Sequence, residues 1–439
     1  MDFCMEKIYI TGHKNPDMDS ICSAYAYSVL KNIIDREHTY VPVRPGHLSD
    51  SVKAILGALK IDPPKYMRNV YPKVSDVMLI PEEHLEADMP LTMLARSYKD
   101  SNPSAIPIYD QGKFLGLLSV DDITHWFMSE LVDDSRISEE ATIRDLLREY
   151  DPPLQCSDLF EDAKQSLSSS QNRGLAVFEG EEFRGFVTRR CFLHAPSYKV
   201  IMVDHNESRQ SITGIETATV VEIVDHHRLD ASKTNLPIFI DTEPLGSTCT
   251  IVYQMFLRHN LTPDAYTARV LLAGLISDTL ILKSPTTTEV DRETAKALAR
   301  ICEVDIEEFG REMFSHVESL SKRDPEKAIL SDFKKYTEKG IAIGIGQCEV
   351  TTLHDVEVYR ETYLRTLEQV REKNGLNWAT LMITNVINQH SILLTTGYKA
   401  EKFLPYRHIG EKVYDMPNVM SRKKQLLPEM LYALGGLAT

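Results

Sequence analysis

The chain has 439 residues, of which 43% are hydrophobic and 26% charged, and its formal net charge is −15 at pH 7. This length exceeds one ordinary core and predicts about two to four domains. The acidic balance argues against general nucleic-acid affinity, although carboxylates that hold metal ions can still serve an anionic substrate. No apolar run approaches the ~20 residues that cross a bilayer. We see no secretion signal, and seven scattered cysteines without a CxxC pair favour reduced thiols, so we expect a cytoplasmic protein.

The first 69 residues alternate between strand and helix patterns. The apolar run KIYI at 7–10 precedes the loop GHKNPDMDS at 12–20, and helical spacing then continues to about Asp35. A second strand is predicted over Thr39–Pro45 and a second helix over Leu48–Leu59, ahead of a Pro-Pro stop. This order predicts a parallel sheet.

Residues 70–195 contain an internal repeat at an offset of 69. The segment Pro103–Ile123 aligns without a gap with residues 172–192, and the second strand of each copy ends in Gly-x-x-Ser or Gly-x-x-Thr. Each copy predicts a helix, two strands joined by a turn, and a further helix start. We expect two units, at about 70–127 and 135–195, that bury their apolar faces against each other.

Alternating strands and helices resume after the repeat. Strands are predicted over Tyr198–Val203, Val220–Val224 and Pro237–Ile240, and helices over Ser247–Arg258 and Ala265–Ile276. The repeat is therefore predicted to interrupt an α/β domain between its second and third strands, which leaves 1–69 and 196–315 as the two parts of that domain. A short polar linker at 316–324 and a separate C-terminal α/β unit at 325–439 complete the prediction.

Histidines and aspartates follow three of the predicted parallel strands. The candidates are His13, Asp17 and Asp19 in the first loop, Asp204 after the strand that follows the repeat, Asp225, His226 and His227 after the next strand, and Asp278 at a helix end. The carboxyl ends of parallel strands face one crevice, so these groups can converge. They are too many for one tetrahedral ion and suit two ions of the Mn²⁺, Co²⁺ or Zn²⁺ type that share a carboxylate. Asp204 is the best candidate for the shared ligand, while the simpler interpretation of the first loop is a helix cap beside a surface histidine.

A second polar segment, SRKKQ at 421–425, places three cations at a predicted helix start. Guanidinium, ammonium and helix-end amide groups together bind phosphate. Alone, such a segment is more often a solvated basic face. Opposite a pair of metal ions, it favours hydrolysis of a phosphate ester or anhydride.

These motifs together resemble the family II inorganic pyrophosphatases of the DHH phosphoesterase superfamily, through GHKNPDMDS, VDH, VDHH, SDT and SRKKQ. The repeat resembles the tandem CBS pair of nucleotide-regulated members. The resemblance implies an α/β fold: a parallel-sheet DHH domain interrupted by a tandem CBS (α+β) insert and followed by a C-terminal DHHA2-type substrate-binding domain. It also implies manganese- or cobalt-dependent hydrolysis of pyrophosphate to two phosphates by a metal-bridging hydroxide.

The resemblance further assigns individual site residues. One ion would be held by His13, Asp17 and Asp204, and the other by Asp19, Asp204, His226 and Asp278. His227 would donate a hydrogen bond to a phosphate oxygen or act as the acid for the leaving group. Arg422 and Lys423 would bind the outer phosphate together with Lys334, for which the adjacent Lys335 is an alternative. The implied cofactors are Mn²⁺ or Co²⁺ in two tight sites and Mg²⁺ with the substrate.

Regulation and assembly are also implied by the resemblance. The nucleotide-binding residues would be Ser119, Asp122 and Thr188, and the regulators AMP, ADP, ATP or diadenosine polyphosphates. Cys191 stands where the second CBS copy should carry its aspartate, which puts one nucleotide site in doubt. The family forms homodimers through the DHH domain, and the sequence leaves larger assemblies open.

Three alternatives remain open on the sequence. The first is a DHH phosphodiesterase that acts on short or cyclic dinucleotides. The second is a catalytically inactive nucleotide sensor. The third concerns the repeat alone, which would then serve only as a dimerisation or spacer module.

Overall fold

The structure is a computed structural model, and it describes residues 6–81, 84–101, 103–132, 141–148, 151–230, 234, 236–315, 320, 323–350, 352–385 and 389–436. The chain divides into two compact units, one of Met1–Val70 with Lys199–Thr439 and the other of Tyr71–Tyr198. Within the described residues, no helix combines the length and apolar character that a membrane span needs.

Two strand–helix pairs begin the first unit. The elements are β1 (Glu6–Thr11), α1 (Met18–Ile34), β2 (His38–Arg44), α2 (Asp50–Leu59) and β3 (Lys65–Tyr66). Both helices start at a side-chain cap, since Asp17 accepts from Ser20 N and Ser49 accepts from Val52 N. The sequence predicted only two strands here, because the two-residue β3 is too short to show alternation.

The second unit contains two copies of one three-stranded arrangement. The first copy consists of β4 (Leu85–Glu86), α3 (Leu91–Ser101), β5 (Ile106–Asp110), β6 (Lys113–Leu118) and α4 (Val120–Val132). The second consists of β7 (Leu154–Gln155), α5 (Phe160–Ser169), β8 (Gly174–Glu179) and β9 (Glu182–Thr188). In each sheet a short parallel strand lies beside an antiparallel hairpin.

The predicted offset of 69 residues relates individual residue pairs in the two sheets. Leu85 pairs with Ile108 in the first copy, and Leu154 pairs with Val177 in the second. A bulge follows Ile108 in one hairpin and Val177 in the other. The two copies meet through matched aromatic rings, because Phe114 and Phe183 stack with centroids 3.9 Å apart.

The chain then returns to the parallel sheet of the first unit. Its elements are β10 (Lys199–Val203), β11 (Thr219–Asp225), β12 (Phe239–Thr242), α6 (Thr248–Arg258), α7 (Ala265–Asp278), α8 (Glu289–Cys302) and α9 (Ile306–Ser315). The six strands are all parallel in the order β12-β11-β10-β1-β2-β3. The central strands β1, β10 and β11 share one buried core with α1, α6 and α7. Their carboxyl ends therefore lie side by side at one sheet edge.

A mixed sheet forms the C-terminal part. Its elements are α10 (Pro325–Leu330), β13 (Phe333–Glu338), β14 (Ile341–Val350), α11 (His354–Lys373), β15 (Trp378–Asn385), β16 (His390–Thr395), β17 (Arg407–Gly410), β18 (Val413–Pro417) and α12 (Leu427–Gly435). The strand order is β13-β14-β15-β16-β18-β17. One apolar cluster joins the sheet to α10 and α11, and a second joins it to α12.

One sequence prediction differs from this part of the structure, and one lies largely outside its described residues. The helix start predicted at SRKKQ, 421–425, is shifted: a single π-helical turn spans Arg422–Leu426, and the α-helix begins only at Leu427. Pro428 explains the difference, since it lacks the N–H that an α-helical bond to the Lys424 carbonyl requires. The linker predicted at 316–324 lies largely outside the described residues. Within it, Leu320 is buried and Arg323 donates to the carbonyl of Glu349.

Candidate metal and substrate site

The loop between β1 and α1 folds tightly against the start of α1. A Cβ atom on Gly12 would lie 2.8 Å from the Ser20 carbonyl oxygen and would also overlap Ser20 Oγ, so glycine is required for this approach. Ser20 Oγ accepts a hydrogen bond from His13 N at 2.9 Å. Asp17 accepts from Ser20 N through Oδ1, and its Oδ2 lies 3.2 Å from His13 Nε2. Asp17 is therefore a helix cap and a candidate metal ligand at the same time.

Asp204 lies at the centre of the candidate site. It is only 2% exposed, and its φ of 60° is a left-handed conformation that aspartate tolerates better than most residues. Asp204 Oδ2 lies 3.5 Å from His13 Nε2, and Oδ1 lies 3.6 Å from His226 Nε2. Each carboxylate oxygen thus faces a different histidine, as a bridging metal ligand requires.

His226 is oriented by a backbone carbonyl. Its Nδ1 lies 3.0 Å from the Leu245 oxygen. A carbonyl can only accept, so the ring proton belongs on Nδ1 and the lone pair on Nε2. That Nε2 lies 3.3 Å from Asp278 Oδ2. A second hydrogen bond of this kind commonly orients a histidine that ligates a metal.

The amino end of α6 holds the Asp19 carboxylate. Ser247 Oγ donates to Asp19 at 2.6 Å, the Thr248 N–H at 2.7 Å and the Cys249 N–H at 3.1 Å. Thr248 Oγ1 also donates to Asp204 Oδ1 at 3.0 Å. The positive end of the helix dipole favours both buried carboxylates. These donors were not identified from the sequence, although Ser247 stands at a typical cap position before a predicted helix.

A second buried aspartate secures that helix end. Asp291 accepts from Gly246 N at 2.9 Å, from Thr250 Oγ1 at 2.7 Å, and from both the N–H and the hydroxyl of Thr288 at 2.7 Å. It therefore fixes the turn that supplies the donors to Asp19. The sequence signal for Asp291 was a capping pair, Thr288 with Asp291, which indicates a helix start and gives no sign of the neighbouring site.

The donor atoms fall into groups compact enough to hold metal ions. Three sets have ligand atoms within 4.8 Å of one another: His13, Asp17 and Asp204; Asp19, His226 and Asp278; and Asp204, His226 and His227. The first set contains the three residues that the resemblance assigned to one ion, and the second contains three of the four that it assigned to the other, without Asp204. Burial and the neighbouring carboxylates, Asp19 foremost, raise the pKa of both Asp204 and Asp278. Divalent cations would relieve this repulsion, so the donor set fits two of them.

The predicted substrate cations lie on the C-terminal part of the same unit. Lys334 Nζ donates to Gln210 Oε1 of the parallel-sheet part at 3.4 Å, whereas Lys335 is exposed. Arg422 Nη1 donates to the Asp332 carbonyl at 2.7 Å and lies 2.8 Å from its carboxylate. Arg422 Nε is buried without a hydrogen-bond partner among the described atoms.

Lys423 is exposed at its surface, yet partial desolvation lowers its pKa, and the carboxylates Asp225 and Asp278 of the parallel-sheet part oppose that shift. The cationic turn is therefore electrostatically coupled to the candidate metal ligands. His227 lies at the same sheet edge, with Nδ1 3.8 Å from Asp204 Oδ1.

The predicted regulatory residues occupy equivalent corners of the two repeats. Ser119 donates to Asp122 Oδ2 through both its N–H, at 2.8 Å, and its hydroxyl, at 2.6 Å. In the second repeat the Thr188 N–H donates to Cys191 Sγ at 3.3 Å. The two corners thus share a backbone geometry and differ in the acceptor, a carboxylate in one copy and a thiol in the other.

Two family models match this chain, one in its parallel-sheet part and one in its C-terminal part. Residues 7–276 match the model described as DHH family, N-terminal domain, and residues 311–433 match the DHHA2 domain model. The cobalt-dependent inorganic pyrophosphatase of Clostridium perfringens is 28% identical, over 96% of this chain and 97% of the relative. The manganese-dependent inorganic pyrophosphatase of Methanocaldococcus jannaschii is 35% identical, over 55% of this chain and 82% of the relative.

A solved structure is also similar in fold. It is the crystal structure of a putative family II inorganic pyrophosphatase of Methanococcus jannaschii, with a TM-score of 0.60 at 23% identity over 98% of this chain and 100% of that chain. The DHH and DHHA2 domains predicted from the sequence are confirmed by the two domain models. The chain therefore belongs to the DHH family, and it is similar to inorganic pyrophosphatases that depend on cobalt or manganese.

Proposed function

We propose that this protein hydrolyses inorganic pyrophosphate to two phosphates with Mn²⁺ or Co²⁺ in two tight sites and Mg²⁺ accompanying the substrate. The predicted enzyme class, inorganic diphosphatase, is confirmed by relatives that carry this name and that are cobalt- or manganese-dependent. The finer proposal rests on Asp204, whose two oxygens face His13 and His226 separately.

The residues proposed to hold the ions are His13, Asp17 and Asp204 for one, and Asp19, Asp204, His226 and Asp278 for the other. Bound there, divalent ions supply Lewis acidity toward phosphate oxygens and make a water molecule more acidic. The carboxylates fix the spacing of the donor sets. Asp19 does so most firmly, because three donors of α6 hold it.

The proposed substrate residues are Lys334, Arg422, Lys423 and His227. Lys334 and Arg422 now contact neutral or acidic groups of the chain, Gln210 and Asp332. A phosphate competes well for both cations, since charge-assisted bonds to guanidinium and ammonium groups are the stronger kind. Their place in the C-terminal part lets this part orient the leaving phosphate while the parallel-sheet part holds the other phosphate.

Phosphate release after Mn²⁺ loading tests the proposed activity. We expect turnover of pyrophosphate with Mg²⁺ present and none of short or cyclic dinucleotides. Turnover of a dinucleotide without turnover of pyrophosphate would favour a phosphodiesterase. Tight Mn²⁺ binding without hydrolysis of any phosphate compound would favour a nucleotide sensor.

We further propose that residues 70–195 form a tandem CBS insert that binds AMP, ADP, ATP or a diadenosine polyphosphate. The proposal is supported by the two matched three-stranded sheets and by the Ser119–Asp122 corner. Nucleotide alters turnover only if it binds two conformations with different affinity. We expect Asp122→Ala to weaken the AMP effect about 10-fold, whereas Cys191→Ala leaves it unchanged. AMP titration of turnover checks both, and an equal effect of the two variants would argue against the Asp122 site.

The remaining domain assignments are proposals as well. We propose a DHH domain from 1–69 and 196–315, a linker at 316–324, a DHHA2 domain at 325–439, and a homodimer formed by the DHH domain. The edge strand β12 supports the dimer, because Phe239 is 53% and Ile240 42% exposed on it. Light scattering should give a dimer that Ile240→Lys dissociates. A monomeric wild-type protein would contradict this assembly.

A further inference from the structure

Asp225, the last residue of β11, has no assigned role and is fully buried, with 0% exposure. Its Oδ1 accepts from the His227 N–H at 3.1 Å and lies 2.8 Å from His227 Nδ1. Its Oδ2 accepts from Asn206 Nδ2 at 2.6 Å. Asp225 therefore accepts hydrogen bonds through both of its oxygens, and one of them faces one particular nitrogen of His227.

Asn206 is also fixed in orientation. Its Nδ2 donates to the Arg228 carbonyl at 2.9 Å as well as to Asp225. Its Oδ1 accepts from the Asp230 N–H at 2.7 Å. A flipped amide would place its oxygen against two acceptors and its nitrogen against a donor, so only one orientation satisfies all three contacts. Asn206 therefore ties Asp225 to the segment that carries His227.

This arrangement decides which nitrogen of His227 is available. A carboxylate only accepts, so His227 Nδ1 carries a proton that points to Asp225. Nε2 is the other ring nitrogen, and the side chain is 40% exposed at the sheet edge. The neighbouring His226 uses a backbone carbonyl for the same purpose and directs its Nε2 to the metal ligands. Adjacent histidines are thus oriented by separate acceptors for separate tasks.

We propose that Asp225, held in place by Asn206, is the positioning residue of His227, which it fixes so that Nε2 alone is presented to the reacting phosphate. The proposal rests on the proposed function for the identity of that phosphate. It assigns Asp225 no contact with substrate or metal. The carboxylate acts through the orientation and tautomer of His227.

Asp225→Asn is the sharpest test, because the hydrogen-bond directions around residue 225 are fixed. The carboxylate accepts from three donors, the N–H and Nδ1 of His227 and Nδ2 of Asn206, whereas an amide has only one oxygen that can accept. With its oxygen toward His227 the new NH₂ group opposes Asn206 Nδ2, and with its oxygen toward Asn206 it opposes the His227 N–H, so either orientation breaks a contact that positions His227. We expect kcat for pyrophosphate to fall about 10- to 100-fold, with KM and Mn²⁺ affinity each within about 2-fold of wild type.

A double-mutant cycle separates positioning from a structural role. In a His227→Gln background, Asp225→Asn should lower kcat by less than about 2-fold, because the residue through which it acts is gone. Asp230→Asn is the matched control, since it makes the same charge change in the same segment and leaves the backbone donor to Asn206 intact. The proposal would be overturned if the two substitutions lowered kcat by independent factors in the double variant. It would also be overturned if Asp230→Asn lowered kcat as much as Asp225→Asn does.

Long-range ¹H–¹⁵N spectra of the histidine rings test the proposal without any turnover. In the metal-free wild-type protein at pH 8, His227 should show the tautomer protonated on Nδ1, and Asp225→Ala, which removes the acceptor, should populate the tautomer protonated on Nε2 as well. A wild-type ring protonated on Nε2 overturns the proposal whatever the substrate is. If the tautomers are as expected but wild type releases no phosphate from pyrophosphate, the proposed substrate is wrong and the positioning role stands.

Discussion

The carboxylates of the parallel sheet and the cations of the C-terminal sheet are held in different ways. Asp19 takes three hydrogen bonds from the first turn of α6, and Asp204 takes one from Thr248 in the same turn. On the other side, Lys334 has a long bond to Gln210, and Arg422 pairs with Asp332 while its Nε stays unpaired among the described atoms. The acidic side, meaning the candidate metal ligands of the parallel-sheet part, is fixed by contacts within that part. The basic side, meaning Lys334 and the cations of SRKKQ, is held by contacts that a phosphate can replace.

This difference separates metal affinity from substrate affinity, which a turnover assay alone does not distinguish. Metal affinity should depend on the fold of the acidic side, since its ligands are buried and already bonded. Substrate affinity should depend on how readily the cations exchange their partners. Changes on the acidic side should therefore remove metal binding and turnover together, and changes on the basic side should affect substrate use alone.

The largest effect is expected from Asp204→Asn. The amide cannot bridge two cations, so Mn²⁺ affinity should fall about 100-fold or more and kcat about 10³-fold. The same change should stabilise the metal-free protein by about 1–2 kcal/mol, because it removes a buried carboxylate that repels its neighbours. Calorimetric Mn²⁺ titration and thermal melts in chelator measure both. A metal-free variant that melts below wild type would contradict the repulsion inferred at Asp204.

Ser247→Ala should have an intermediate effect. It deletes both the N-cap of α6 and the 2.6 Å donor to Asp19, so we expect Mn²⁺ affinity to fall about 10-fold. Ser49→Ala is the matched control, since Ser49 caps α2 in the same way and donates to none of the predicted ligands among the described contacts. Each variant should lose about 1 kcal/mol of stability, whereas only Ser247→Ala should weaken Mn²⁺ binding. Equal Mn²⁺ affinities would show that the α6 turn acts on stability alone.

Lys334→Ala tests the basic side. We expect KM for pyrophosphate to rise about 10-fold, with Mn²⁺ affinity unchanged, because the lysine contributes a phosphate contact but no metal ligand. Lys335→Ala is the control, since this neighbour on β13 is exposed. Steady-state kinetics with a parallel Mn²⁺ titration distinguish the two. A larger effect from Lys335 would reverse the assignment between the adjacent lysines.

The candidate ligands could be predicted because each follows an element with a strong local signal. β1, β10 and β11 are apolar runs, and parallel strands place the residues after them at one edge. The order of the strands alone was enough to predict that His13, Asp204 and His226 lie close together. Asp278 followed from the end of a clearly apolar helix.

The residues that hold those ligands could not be predicted in the same way. Ser247 and Thr248 donate to Asp19 across more than 220 residues of sequence, and only the packing of α6 against α1 creates that contact. Asn206 and Asp225 are likewise joined by the pairing of β10 with β11. The polar strand β13 could not be predicted from its pattern, because FKKYTE is half-exposed and lacks a clear apolar face. Local patterns indicate which groups can ligate, and tertiary packing decides which groups orient them.

The smallest effect is expected at Glu349 of β14, which lies, like Asp332, on the side that carries the cations. Burial, with the nearby Asp332 charge, raises the pKa of Glu349 to about 7. An unfolded glutamate titrates at about 4.3, so the folded protein binds the extra proton between these values. The contribution of Glu349 to stability is thus present below about pH 4 and is lost as the pH rises to about 7. Glu349→Gln should therefore melt about 2–4 °C above wild type at pH 8, about 1 kcal/mol, and no higher at pH 4.5.

Melts of the chelator-treated protein at both pH values measure this difference without interference from bound metal. Glu361→Gln, at an exposed position of α11, is the control and should leave the melting temperature unchanged at either pH. The melting temperature of Glu349→Gln could instead rise by as much at pH 4.5 as at pH 8. That result would mean that the carboxylate is disfavoured for its shape and not for its charge. In that case the charge of Glu349 would say nothing about the side that carries the cations, and the contrast between the two sides would rest on the contacts of Lys334 with Gln210 and of Arg422 with Asp332.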